Sequence, residues 1–100
     1  MLSPEQETYR DYLRELSATH NARILNISRE IMNELPVKNL VDTLRANSEG
    51  VAAIVFDGII SQRIVDVASE KNIPTVVGVK KGNIPKMPAG ITLWTKEDLN

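Results

Sequence analysis

Val51-Ala52-Ala53-Ile54-Val55-Phe56 is an unbroken apolar run that stops at Asp57-Gly58. A strand with one face in water alternates apolar and polar residues. This run does not, so both its faces are predicted to be covered, as in parallel strands flanked by helices. Ile73-Pro74-Thr75-Val76-Val77-Gly78-Val79 reads the same way. Between the two runs, Ile60, Ile64, Val67 and Ala68 recur at helical spacing and close at Lys71-Asn72. Strand, helix and strand within about 30 residues form a βαβ unit, whose crossover is right-handed in nearly every case. Ile91-Thr92-Leu93-Trp94 adds another strand, so parallel strands are predicted over 51–56, 74–79 and 91–95. Thr95-Lys96-Glu97-Asp98 reads as the opening of a further helix with Thr95 as its cap.

Toward the amino end, Asn47-Ser48-Glu49-Gly50 is a loop, and Val37, Leu40, Val41 and Leu44 form a second helical stripe ending near Ala46. Leu35-Pro36 is expected to break the strand before it. Residues 22–26 and 30–34 pair as a hairpin around Ile27-Ser28-Arg29, without the Asn-Gly of the tightest turns. Ser3-Pro4-Glu5-Gln6 carries a capping box and a proline suited to a first helical turn. The helix is expected over about 4–17, with Tyr9, Tyr12, Leu13 and Leu16 on its apolar stripe. Arg10, Asp11, Arg14 and Glu15 take its other face. The fold class is therefore α/β: one domain, 1–100, with a small mixed sheet, a βαβ unit, an N-terminal hairpin and helices packed on the sheet.

The hydrophobic fraction of 42% and charged fraction of 25% suit one folded core. There is no cysteine, so disulfides, thiol nucleophiles and cysteine-held metals are excluded. His20 is the only histidine, which excludes a multi-histidine metal site. The net charge of −1 lacks the basic excess usual for a nucleic-acid-binding domain. Contact with RNA or DNA would have to come from a local patch or from another domain. No apolar run approaches the ~18 residues of a membrane span, and MLSPEQETYR is not a secretory signal. The expected location is cytoplasmic.

Asp57, Gly58 and Gly78 fall at the carboxyl ends of predicted strands, where α/β sheets gather ligands. Asp57 there could hold a metal, a phosphate or a backbone amide. The commoner arrangement of such a pair is a turn, with Asp57 capping the next helix while Gly58 makes the bend. Metal-dependent nucleotidyl transfer needs several carboxylates converging on Mg²⁺. Asp57 stands alone at its strand end, and Asp66, Glu70, Glu97 and Asp98 lie on predicted helices. No catalytic residue and no metal site are expected. Arg63 and the loop lysines Lys80, Lys81 and Lys86 could neutralise nucleic-acid phosphates, or the lysines could simply solvate the loop. Trp94 could stack on a base or pack against the core. The serines have no histidine beyond His20 for an alternative triad, and none sits in the Gly-x-Ser-x-Gly turn of a hydrolase.

The segments VFDGIISQRIVDVASEKNI at 55–73, VVGVKKGNIPKMP at 76–88 and ITLWTKEDL at 91–99 resemble the C-terminal region of archaeal DnaG-type primases. The Leu35-Pro36-Val37 segment through Leu44 and the Ile24-Leu25-Asn26 arm look like the same family. The resemblance implies a parent with a Toprim domain, in which a Glu and an Asp-x-Asp bind Mg²⁺ for nucleotidyl or phosphoryl transfer. This chain would follow that catalytic core and need no cofactor of its own. The resemblance further implies a primase that makes RNA primers and an archaeal exosome subunit that engages adenine-rich RNA. The expected partners are the parent's other domains, the exosome cap protein and RNA or DNA, with no membrane.

Overall fold

The computed structural model describes every residue, Met1–Asn100. The elements are α1 (Pro4–Glu15), β1 (Asn21–Leu25), β2 (Ile31–Pro36), a 3-10 turn (Val37–Asn39) running into α2 (Leu40–Ala46), and β3 (Ala53–Phe56). Then come β4 (Ile59–Ile60), α3 (Gln62–Glu70), β5 (Thr75–Gly78), β6 (Lys80–Lys81) and β7 (Thr92–Thr95). The main sheet has the order β2-β1-β3-β5-β7. β1 runs antiparallel to both its neighbours, while β3, β5 and β7 run parallel. No helix is long and apolar enough to cross a membrane.

Helices cover both faces of the sheet. Ile54, Phe56 and Val76 pack with Leu40, Val41 and Leu44 of α2 and with Ile64, Val65 and Ala68 of α3. Ala53, Val55 and Val77 pack on the other face with Tyr9 and Leu13 of α1 and with Leu99. Every residue of β3 and β5 is buried, which explains why their sequences do not alternate. Two-sided burial also explains the yield from so short a sheet, since each buried aliphatic side chain contributes roughly 1.5–3 kcal/mol.

The ends of elements differ from the sequence expectation in instructive ways. The capping box forms: Ser3 Oγ accepts from the Gln6 N–H at 3.1 Å, and Gln6 Oε1 accepts from the Ser3 N–H at 2.8 Å. The helix stops at Glu15, short of residue 17, because Ala18 and His20 take left-handed backbone angles (φ 66° and 58°). Leu35-Pro36 ends β2 from within; a terminal proline is tolerated on an edge strand. Ile60 belongs to β4 and not to the helix, which begins at Gln62. Ser61 Oγ, not Asp57, caps α3 by accepting from the Ile64 N–H at 3.4 Å. The Thr95–Asp98 segment makes reciprocal capping bonds, Thr95 N–H to Asp98 Oδ2 at 2.9 Å and Asp98 N–H to Thr95 Oγ1 at 3.3 Å, but forms a turn and not a helix.

Arg23 ties three elements together under α1. Its guanidinium donates to Glu15 of α1 and to Glu34 of β2, both at 2.8 Å, and lies 5.2 Å from the centre of the Tyr12 ring. The hydrogen bond from Arg23, helped by one from Asn21, holds the Glu34 carboxyl below the usual carboxylate range. A carboxylate with a depressed folded pKa stabilises above its unfolded pKa and loses that contribution as pH falls through the folded value. Urea midpoints should therefore drop on acidification below about pH 4.3, the ordinary Glu value. Arg23→Met should flatten that part of the profile; an unchanged profile would show that Glu34 does not report the pair.

Tyr9 carries the opposite signature. Burial first, then the hydrogen bond to Glu5, pushes its phenol up from 10.0 to about 12. The fold thus favours the neutral ring, and that stabilisation is present below pH 10 and lost as pH rises toward 12. Ultraviolet titration of a Tyr12→Phe variant should show phenolate appearing near the upper value or together with unfolding. Ionisation near pH 10 in the folded protein would contradict the buried placement.

Candidate ligand-binding site

Because β1 runs against β3, the amino end of β1 lies beside the carboxyl end of β3. There the Asp57 N–H donates to the Asn21 carbonyl at 3.0 Å, and Asp57 Oδ2 accepts from the His20 N–H at 2.9 Å. Of the roles open to Asp57, the structure shows the backbone-amide one. Its carboxylate fixes the left-handed His20 at the entry to β1, an amide that would otherwise lack a partner after α1 ends. Asp57→Ala should cost about 1 kcal/mol through this single bond, read as a lower urea midpoint.

The glycines nearby serve close packing. The Gly58 carbonyl accepts from the Val79 N–H at 2.8 Å. A Cβ on Gly78 would stand 2.6 Å from Ile60 Cγ1 and 3.1 Å from the Gly58 oxygen. Gly78 is therefore what lets β4 cross close over the end of β5. Asp57 lines a hollow at the strand ends, and Gly58 and Gly78 stand outside it.

That hollow is an open cleft of about 300 Å³ on the α1 side of the sheet, at the strand ends. Arg10 and Arg14 line it from α1, Lys96 from the turn after β7, and Asp57 from the end of β3. Leu13 and Val79 supply apolar wall. A smaller hollow of about 240 Å³, around Ser69, Pro74 and Ile91, has no charged side chain.

The other sequence candidates lie elsewhere. Lys80 and Lys81 are not loop residues: they form β6, paired in parallel with Ile59 and Ile60 of β4, and both are exposed. Lys86 is held by its main chain, since Gln62 of α3 accepts from its N–H at 3.0 Å and donates to its carbonyl at 2.7 Å. Arg63 sits on α3 with its guanidinium 3.9 Å from Asp42 of α2. None of these four cations lines either hollow. Trp94 is half-buried against the cluster under α1.

Sequence reasoning missed Arg10, Arg14 and Lys96 as a group. The signal was faint: Arg10 and Arg14 are four apart, hence on one helix face, but only the fold brings Lys96 and Asp57 to that face. No three His, Asp or Glu side chains cluster closely enough to hold a metal ion.

No family model and no solved structure matches the chain. Curated relatives do. The chain is 41% identical over 93 residues to "DNA primase DnaG" of Methanocella arvoryzae, covering 93% of this chain and 19% of that protein. It is 39% identical over 98 residues to the protein of the same name from Methanosarcina mazei, covering 98% and 19%. The relative from Archaeoglobus fulgidus is 34% identical over 93 residues, covering 93% and 23%. The chain thus spans about a fifth of the length of the relatives it matches.

Proposed function

This chain is a homologue of one segment of the archaeal DnaG-type DNA primases, and from that premise we propose that it is a non-catalytic support and docking domain of such a primase, following the catalytic core. The observation that carries the reading is the likeness itself: it runs through nearly all of this chain, yet through only about a fifth of each relative. The arrangement of the acids adds support. Asp57 is committed to the His20 amide, Asp98 to Thr95, and Glu34 to Arg23. These carboxylates do not fit a Mg²⁺ site, and on this reading the ion belongs to a Toprim domain elsewhere in the parent.

The docking partners proposed are the parent's own domains and the exosome cap protein, with cytoplasmic RNA-primer synthesis and exosomal RNA processing as the settings. Immobilised chain should retain the separately expressed Toprim portion or the cap protein. It should itself extend no primer with Mg²⁺, template and ribonucleotides. A folded chain that retains neither protein, or one that polymerises alone, overturns the proposal.

A further inference from the structure

We propose that the Arg10–Arg14–Lys96 cleft is a binding site for a phosphate group carried by a nucleotide or a nucleic-acid strand. The chain as a whole is slightly acidic, with a net charge of −1. Within the cleft the balance reverses: three cations face two carboxylates, that of Asp57, which already accepts the His20 N–H, and the α-carboxylate of Asn100. Neither Arg14 nor Lys96 makes an ion pair or a side-chain hydrogen bond within the chain, whereas Arg23, Arg45 and Arg63 each face an acid. Arg10 has only Asp11, at 3.4 Å and itself exposed. Cations gathered at one hollow with a single internal partner among them, the exposed Asp11, repel one another, and an anion relieves that repulsion.

Several features select phosphate. Two guanidinium forks and an ammonium offer more donors than these two carboxylates can accept, while a tetrahedral phosphate can accept from all three cations. The location is the carboxyl rim of β3 and β5, and open α/β sheets collect ligands outside the carboxyl ends of their strands. The volume of about 300 Å³ is at the small end for ligand sites, enough for a phosphate with a sugar or base against Leu13 and Val79. This site is separate from Lys80, Lys81 and Lys86. It does not depend on the docking role: retention of a partner protein and titration with a phosphate ligand can fail independently.

The test is titration of this chain with inorganic phosphate, AMP, a single-stranded RNA decamer and a hexaglutamate peptide, followed by calorimetry and amide NMR shifts. The variants are Arg14→Gln/Lys96→Gln and, as control, Lys80→Gln/Lys81→Gln, each checked for an unchanged melting curve. We expect phosphate-bearing ligands to bind with shifts around Arg14 and Lys96. Affinity should fall about tenfold or more between 50 and 200 mM salt for a multi-phosphate strand. The cleft variant should weaken binding about tenfold and the control less than about twofold. Binding of RNA but not AMP or phosphate assigns the source as a backbone; binding of all three assigns a terminal phosphate. No binding by the folded chain, loss only in the Lys80/Lys81 variant, or capture of hexaglutamate alone overturns the proposal.

Discussion

Phe56→Ala should unfold a measurable fraction of this protein at physiological temperature. Phe56 is wholly buried at the carboxyl end of the central strand β3, on the face covered by α2 and α3. It lies opposite Ala22 of β1, a side chain too small to expand into the space. Truncation removes apolar area and leaves a cavity that the surrounding helices fill only in part, at a cost of about 3–5 kcal/mol. Domains of this size hold a total of about 5–15 kcal/mol. The urea midpoint should fall steeply with the slope unchanged, and Phe56→Leu should fall less. A loss under about 1 kcal/mol would mean that α2 and α3 settle into the gap, and that this face is looser than its burial indicates.

Gly78→Ala should cost about 1–3 kcal/mol by overpacking, an effect of opposite origin. The added methyl would stand 2.6 Å from Ile60 Cγ1, a side-chain atom that is itself fully buried and has little room to move, and 3.1 Å from the Gly58 carbonyl oxygen. The melting temperature should drop by roughly 4–8 °C for each kcal/mol lost. The pair gives an internal check. Ile60→Ala removes the atom in conflict, so Gly78→Ala should cost less in that background, with a coupling of about 0.5–3 kcal/mol. Strict additivity would place the strain elsewhere, against the Gly58 oxygen.

The parts of the fold written in local pattern were readable from the sequence. The apolar runs at 51–56 and 73–79 announced strands covered on both faces, and β3 and β5 are the two that are buried throughout. Ser3 and Gln6 announced the start of α1. What could not be read depends on pairings between distant segments. Ile59-Ile60 and Lys80-Lys81 are too short to show a period, so β4 looked like helix and β6 like loop until each had the other as partner. Asp57 looked like a cap for the following helix, but its partner is His20, thirty-seven positions away. Arg10 and Arg14 read as an ordinary wetted helix face. They line a cleft only because the rim of the sheet passes beneath them.

The scatter of the cleft's lining along the sequence governs how the chain reaches this shape. The cleft draws on α1, on Asp57 after β3, on Val79 after β5 and on the turn after β7, so no contiguous peptide can assemble it. Its geometry exists only once distant strands have zipped together, a step limited by loop-closure entropy. An occupant of the cleft would therefore bind the finished molecule and not a half-formed one. Amide protons from the hairpin to the last strand would slow their exchange together on saturation.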